Sequence, residues 1–125
     1  MILKKKIEVV YNNKGNIIKY ISRKSNFLKN VKEVYFTEIK SGHTKGWNRH
    51  LKTNCFIMPI VGKVKFYLSK NLKKKKTLIL SSKKPYGLLI KPKTWFAFKS
   101  LTPKSTLINS IEIYHNPKET QKKTY

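Results

Sequence analysis

Residues 63 to 68 alternate strictly. Val64, Phe66 and Leu68 are apolar, and Lys63, Lys65 and Tyr67 between them end in polar atoms. A period of two is the mark of a strand with one buried face. The same reading gives strands at Lys5 to Val10 and Ile17 to Ile21, joined by the Asn- and Gly-rich turn Tyr11 to Asn16. Arg23 to Asn30 is a polar connection with room for a short helical turn. Glu33 to Ile39 is β-branched and aromatic and reads as a strong strand. The longest apolar run, Cys55 to Val61, makes a buried strand of Asn54 to Ile60, turned tightly into the next one at Val61-Gly62. After the solvated loop Lys73 to Lys76 come strands at Thr77 to Ser82, Gly87 to Lys91, Trp95 to Phe98 and Thr106 to Tyr114, then a polar tail, Asn116 to Tyr125, expected to be loosely held. Eight to ten short strands spaced about 8 to 12 residues apart, with no convincing helix between them, predict an all-β sandwich or barrel. A jelly-roll barrel buries such strands with few open edges.

Composition adds bounds to this picture. The 125 residues fit one domain over residues 1–125, and a hydrophobic fraction of 39% supports a real core. No apolar run approaches the roughly 20 residues that span a bilayer, and the start, Met1 to Lys6, is too quickly charged for a signal peptide. The expectation is a cytoplasmic protein without a membrane partner. The single cysteine, Cys55, excludes an internal disulfide and a cysteine-based zinc cluster. The net charge of +24 is extreme, but only Arg23 and Arg49 are arginines, and the lysines are scattered. Base readout and bidentate phosphate recognition favour arginine, so the charge argues more for lysine-rich drift or attraction of a small phosphorylated ligand than for nucleic acid.

Chemistry concentrates between Gly42 and His50, which hold two of five glycines, two of three histidines and one of two tryptophans, just before the apolar run. A polar cluster leading into a buried strand is how a site is set at the mouth of a barrel. On a strand, Asn48 and His50 face the same way and Arg49 faces the other. The spacing Gly42, five residues, Asn48, one residue, His50, four residues, Cys55, six residues, Gly62 resembles the first cupin motif, which runs Gly, five residues, His-x-His, three or four residues, Glu, six residues, Gly. Pro92 to Ala97 stands where cupins carry Pro-x-Gly-x-x-His. Within the cupins, the chain is similar to the dTDP-4-dehydrorhamnose 3,5-epimerase group and its sugar-nucleotide ketoisomerase relatives. Asn13-Lys14-Gly15-Asn16-Ile17 resembles the group's early Asp-x-Arg-Gly turn. Val34-Tyr35-Phe36 leading to Lys45-Gly46-Trp47-Asn48 resembles its Arg-Gly-Leu-His entry, and Tyr114 to Glu119 its terminal Tyr-x-Pro-x-x-Glu.

The resemblance implies an RmlC-like cupin, a double-stranded β-helix or jelly-roll barrel, working as a homodimer on a nucleotide-linked sugar. It implies no cofactor. Of the motif's four metal positions, three hold Asn48, Cys55 and Ala97, and one imidazole with a thiol does not make a metal site. The group's base falls at Asn48, its lysine near Cys55 and its acid tyrosine near Asn109. An amide cannot take a proton from a sugar carbon, which leaves His50, at the second histidine of the ketoisomerases' His-x-His pair, as the proton carrier with Asn48 holding the carbonyl or enolate oxygen. Lys45 and Lys14, at two arginine positions of the group, are the candidate diphosphate contacts. Trp47, Tyr114 and His115, with Asn109, are the remaining candidate substrate contacts. His43 reads as a solvated loop residue and Cys55 as buried and inert.

Three functions stay open. The chain is an isomerase or epimerase of a dTDP-linked 4-keto-6-deoxysugar in surface-polysaccharide synthesis, a cupin that binds the sugar nucleotide without turnover, or a basic nucleic-acid binder. Binding of dTDP against RNA or DNA separates the third from the others, and solvent deuterium uptake into the keto sugar separates the first from the second.

Overall fold

A computed structural model describes residues 2–24, 27–114 and 116–125. Its twelve strands are β1 (Ile2–Lys6), β2 (Glu8–Val10), β3 (Ile17–Lys19), β4 (Glu33–Lys40), β5 (Thr44–His50), β6 (Cys55–Val61), β7 (Lys63–Ser69), β8 (Lys76–Ser81), β9 (Tyr86–Ile90), β10 (Trp95–Ser100), β11 (Lys104–Ile111) and β12 (Thr120–Lys122). No described residue is helical. Two five-stranded antiparallel sheets, ordered β1-β9-β6-β11-β4 and β12-β5-β10-β7-β8, face each other, and β2 and β3 form a separate hairpin. This is the all-β jelly roll that the strand spacing and the cupin resemblance predict.

The core lies between the sheets. Alternate residues of β7 and β10, Val64, Phe66, Leu68, Phe96 and Phe98, meet Ile57, Leu88, Ile90, Leu107 and Ile111 from the opposite sheet. The apolar run in β6 is continuous because both of its faces are covered. Cys55 and Ile57 point into the main core, while Phe56 and Met58 join Ile7, Leu28 and Leu89 in a second cluster outside the sheet. Tyr20 covers that cluster, stacking on Phe56 and placing its hydroxyl on the Phe56 carbonyl and, at 2.8 Å, on Ser110 Oγ. Burial drives the Tyr20 phenol well above its ordinary value.

Several boundaries differ from the sequence reading, each for a physical reason. Lys5 to Val10 is not one strand. Ile7, buried at the break, donates its amide to the Pro85 carbonyl at 2.8 Å, so β1 joins one sheet and β2 turns into the hairpin. The last long strand ends at Ile111 rather than Tyr114, where the Glu112 amide turns aside to Thr53 Oγ1 at 3.0 Å. The glycine-rich segment is itself the strand β5, and the tail, expected to be loose, supplies β12. Gly62 makes the tight turn after β6 with φ +86, where an added Cβ would lie 2.5 Å from both the Ser105 and Thr102 hydroxyls.

Candidate functional site

β5 lies between β10 and β12. Its register against β10 slips, so that Phe96 faces Asn48 but Phe98 faces Lys45. The extra residue in β5 is taken up around Gly46, whose φ is +125. A Cβ at Gly46 would stand 2.7 Å from Ala97 Cβ and 2.9 Å from the Phe96 carbonyl oxygen. Only glycine lets β5 lie this close to β10 while Asn48 and His50 remain on the inner face. Gly46→Ala is therefore expected to cost about 1–3 kcal/mol through overpacking. A thermal melt checks this, and a melting temperature equal to that of the parent would contradict the close approach.

The inner face of β5 opens on a cavity of about 910 Å³, bordered by β4, β10, β11 and the tail. Asn48 and His50 both line it, as the alternation predicts, and so do Lys45, Trp47 and Asn109. Tyr35 and Phe96 complete its inner wall. The Trp47 ring packs with Trp95 and Ala97 in a cluster apart from the main core, and contacts Tyr125 at 5.4 Å. Arg49 points away, with its guanidinium 4.6 Å from the Trp95 ring and a hydrogen bond from Nε to Gln121 Oε1 at 2.8 Å. Lys14 sits exposed in the β2–β3 turn and Tyr114 exposed after β11, and neither borders the cavity. His115 lies outside the described residues. His43 is exposed in the turn before β5, and Cys55 is buried with its thiol pushed well up by desolvation.

His50 has a partner that sequence reasoning missed. Its Nδ1 lies 2.9 Å from Glu119 Oε2, and both residues are buried. Glu119 Oε1 accepts the amides of Lys52 at 3.0 Å and Thr53 at 3.3 Å. Burial alone would raise this carboxyl. The hydrogen bonds from His50 and the two amides outweigh it and hold Glu119 below the usual carboxylate range. An ionised carboxylate only accepts, so His50 Nδ1 carries the hydrogen and Nε2 is left as the basic nitrogen. The imidazole is also braced by Phe96, whose ring lies 6.0 Å away and nearly parallel.

Across the cavity, Asn109 Nδ2 donates to Tyr35 Oη at 2.8 Å. Burial, with smaller contributions from Cys55 and Glu33, pushes the Tyr35 phenol up to about 12. Tyr35 therefore stays protonated at neutral pH and can donate. Among the described residues Asn109 Oδ1 is buried without a hydrogen-bond partner, on a side chain that borders the cavity. The sequence did contain signals for the two missed residues. Glu119 is one of only five acids in the chain and closes the terminal motif, and Tyr35 lies four residues before Ile39, on the strand face that buries Ile39 in the core.

Among the described residues no three His, Cys, Asp or Glu side chains gather as a metal site, and no helix is long and apolar enough to cross a membrane. No curated protein sequence matches the chain. Solved structures do. A histidine-to-asparagine variant of the 3,4-ketoisomerase QdtA from Thermoanaerobacterium thermosaccharolyticum, in complex with TDP-4-keto-6-deoxyglucose, is 21% identical with a TM-score of 0.86 over 96% of this chain and 86% of that one. A 3,4-ketoisomerase from Helicobacter canadensis is 17% identical with a TM-score of 0.86 over 96% of this chain and 89% of that one. The 3,5-epimerase RmlC from Legionella pneumophila, in complex with dTDP-4-keto-L-rhamnose, is 12% identical with a TM-score of 0.84 over 99% of this chain and 73% of that one. These likenesses show the shared RmlC-like cupin fold. The family model described as FdtA, WxcM-like, C-terminal, matches residues 3–123, and the chain belongs to that family.

Proposed function

We propose that this protein is a metal-independent isomerase of a nucleotide-linked 4-keto-6-deoxysugar of the dTDP type, working in the cytoplasm as a homodimer in surface-polysaccharide synthesis. The observation that carries the reading is the His50–Glu119 pair on the wall of the cavity. It is a single oriented base, with an amide two residues away at Asn48 and a protonated phenol across the gap at Tyr35. The substrate class comes from the ligands named for the similar structures.

One base on one wall suits a 3,4-ketoisomerisation better than a double epimerisation, which needs proton delivery to opposite ring faces. His50 Nε2 takes the proton from C3. The C–H electron pair forms the C3–C4 double bond, and the C4 carbonyl oxygen becomes an enediolate oxygen. The hydroxyl proton on C3 passes to that oxygen, with the Tyr35 phenol as relay. His50 then returns its proton to C4, and the carbonyl re-forms at C3. Every atom lost at one carbon is regained at its neighbour. Lys45 and Lys123, both on the cavity border, face the diphosphate as point charges.

A second reading has its own support. Asn48 stands where the family pattern has a histidine, as it would in a cupin that binds without turnover. One experiment separates the two. The protein is incubated with dTDP-4-keto-6-deoxyglucose in D₂O and followed by proton NMR. Deuterium uptake with appearance of a 3-keto sugar is the expected result. Thermal stabilisation by dTDP without deuterium uptake would identify a binder, and neither effect would remove the sugar-nucleotide reading altogether.

A further inference from the structure

The C-terminal strand does more than close the sheet. β12 pairs with β5 so that Thr120 lies opposite His50 and Lys122 opposite Asn48. Directly opposed residues in an antiparallel pair project from the same face with Cβ atoms about 4.5–5.5 Å apart. Asn48 and His50 face the cavity, and Thr120 and Lys122 border it with them. Lys122 therefore stands beside the amide that replaces the motif's first histidine.

The surroundings of this ammonium, one of three lysines bordering the cavity, with Lys45 and Lys123, suit an anionic oxygen. Among the described residues no Asp or Glu side chain lines the cavity, since Glu119 is turned into its buried pair with His50. Among the described residues Lys122 takes part in no ion pair, whereas Lys19, Lys24 and Lys104 do. Lys45 borders the same cavity farther along β5, opposite Phe98, and its Nζ lies 3.4 Å from the Glu38 carbonyl oxygen. Lys122 is thus a cation with no acidic side chain paired to it among the described residues, placed by strand register next to Asn48 and one residue pair from the base.

We propose that Lys122 is a catalytic residue, whose ammonium shares with the Asn48 amide the oxygen that becomes negative when His50 removes the sugar proton. This rests on the isomerase reading above. A neutral amide gives one ordinary hydrogen bond to that oxygen, and a charge-assisted bond is roughly twice as strong. Lys122 neither gives nor takes a proton. It holds the enediolate oxygen while the electron pair resides there and relaxes its hold when the carbonyl re-forms at the neighbouring carbon. The residue is placed by a segment with no apolar pattern, so the tail supplies both the group that orients the base, Glu119, and the cation that stabilises the charge the base creates.

The test compares Lys122→Met, Lys122→Arg and the exposed-turn control Lys83→Met with the parent, measuring kcat, KM and dTDP affinity, with circular dichroism to confirm folding. Removing one such donor is expected to lower kcat about 100-fold. In Lys122→Met the dTDP affinity stays at the parental value, Lys122→Arg keeps at least about a tenth of kcat, and the control is unchanged. A parental kcat in Lys122→Met overturns the proposal, as does a loss that appears only as weaker dTDP binding, which would make Lys122 a diphosphate contact. A parent protein that leaves the keto sugar unchanged defeats the isomerase reading, and this proposal with it. An active parent alongside an equally active Lys122→Met defeats this proposal alone.

Discussion

Changing His50 to alanine is expected to lower keto-sugar turnover and C3 deuterium exchange together by about 10³-fold, near the middle of the range for a positioned acid–base group. The two readouts should fall together if, as proposed above, one imidazole takes the proton from C3 and returns it to C4. The fold should survive. His50 packs against Phe96 at the cavity wall, but the Lys52 and Thr53 amides keep Glu119 hydrogen-bonded after the ring is gone. Binding of dTDP should also persist, since the cations that would meet a diphosphate lie elsewhere on the border. Exchange that continues at the parental rate in a folded His50→Ala protein would show that another group carries the proton. The neutral amide at Asn48 is no candidate, which would leave Tyr35 as the group to test next.

Much of this site was written in the alternation of side chains, and the missing parts lacked that signal for identifiable reasons. Asn48, His50 and Arg49 fell on the faces the period of two assigns them. β7 was legible because it buries every second residue over 64–68, so Val64, Phe66 and Leu68 announced themselves. β5 was harder to read. Its glycine and polar residues look like a loop, and its register slip at Gly46 interrupts the alternation. β12 carried no apolar pattern at all. Thr120, Gln121 and Lys122 are held by main-chain pairing to β5, and Lys123 exchanges two backbone hydrogen bonds with Trp47, at 2.7 and 2.9 Å. Backbone pairing at a sheet edge leaves no trace in side-chain hydropathy. For the same reason the partner of His50 could not be found by local spacing, as Glu119 lies 69 residues along the chain and is brought there only by the returning tail. Tyr35 was hidden differently, as one aromatic in a strand of alternating exposure whose cavity-facing role depends on how the second sheet lies over it.

Replacing Glu119 with alanine should produce the largest loss of stability among these predictions, about 3 kcal/mol, because it strips the acceptor from a buried imidazole and two amides at once. The tail is anchored through this residue, so β12 should loosen from β5 as well. Hydrogen exchange at Thr120 and Gln121 reads that directly. Glu119→Gln is the finer probe, since it keeps the size and removes the charge, and its signature lies in pH. The Glu119 carboxyl titrates lower in the folded chain than in the unfolded one. Its contribution is therefore complete above the ordinary carboxylate value of about 4.3 and disappears as pH falls through the lower folded value. Glu112 behaves the same way. Burial tends to raise its carboxyl, but the amides of Lys29 and Asn54 and the Asn54 side chain hold it down. Both carboxylates bind the corner at residues 52–54, so the parent protein should lose melting temperature steeply between about pH 5 and pH 3. Glu119→Gln should begin lower at neutral pH and fall less steeply, with Glu112 the one of these two carboxylates left to titrate. Parallel curves for parent and variant would mean that the Glu119 charge contributes nothing to the fold. The 2.9 Å contact with His50 would then orient the imidazole, beside Phe96 and Thr120, without stabilising the fold through its charge.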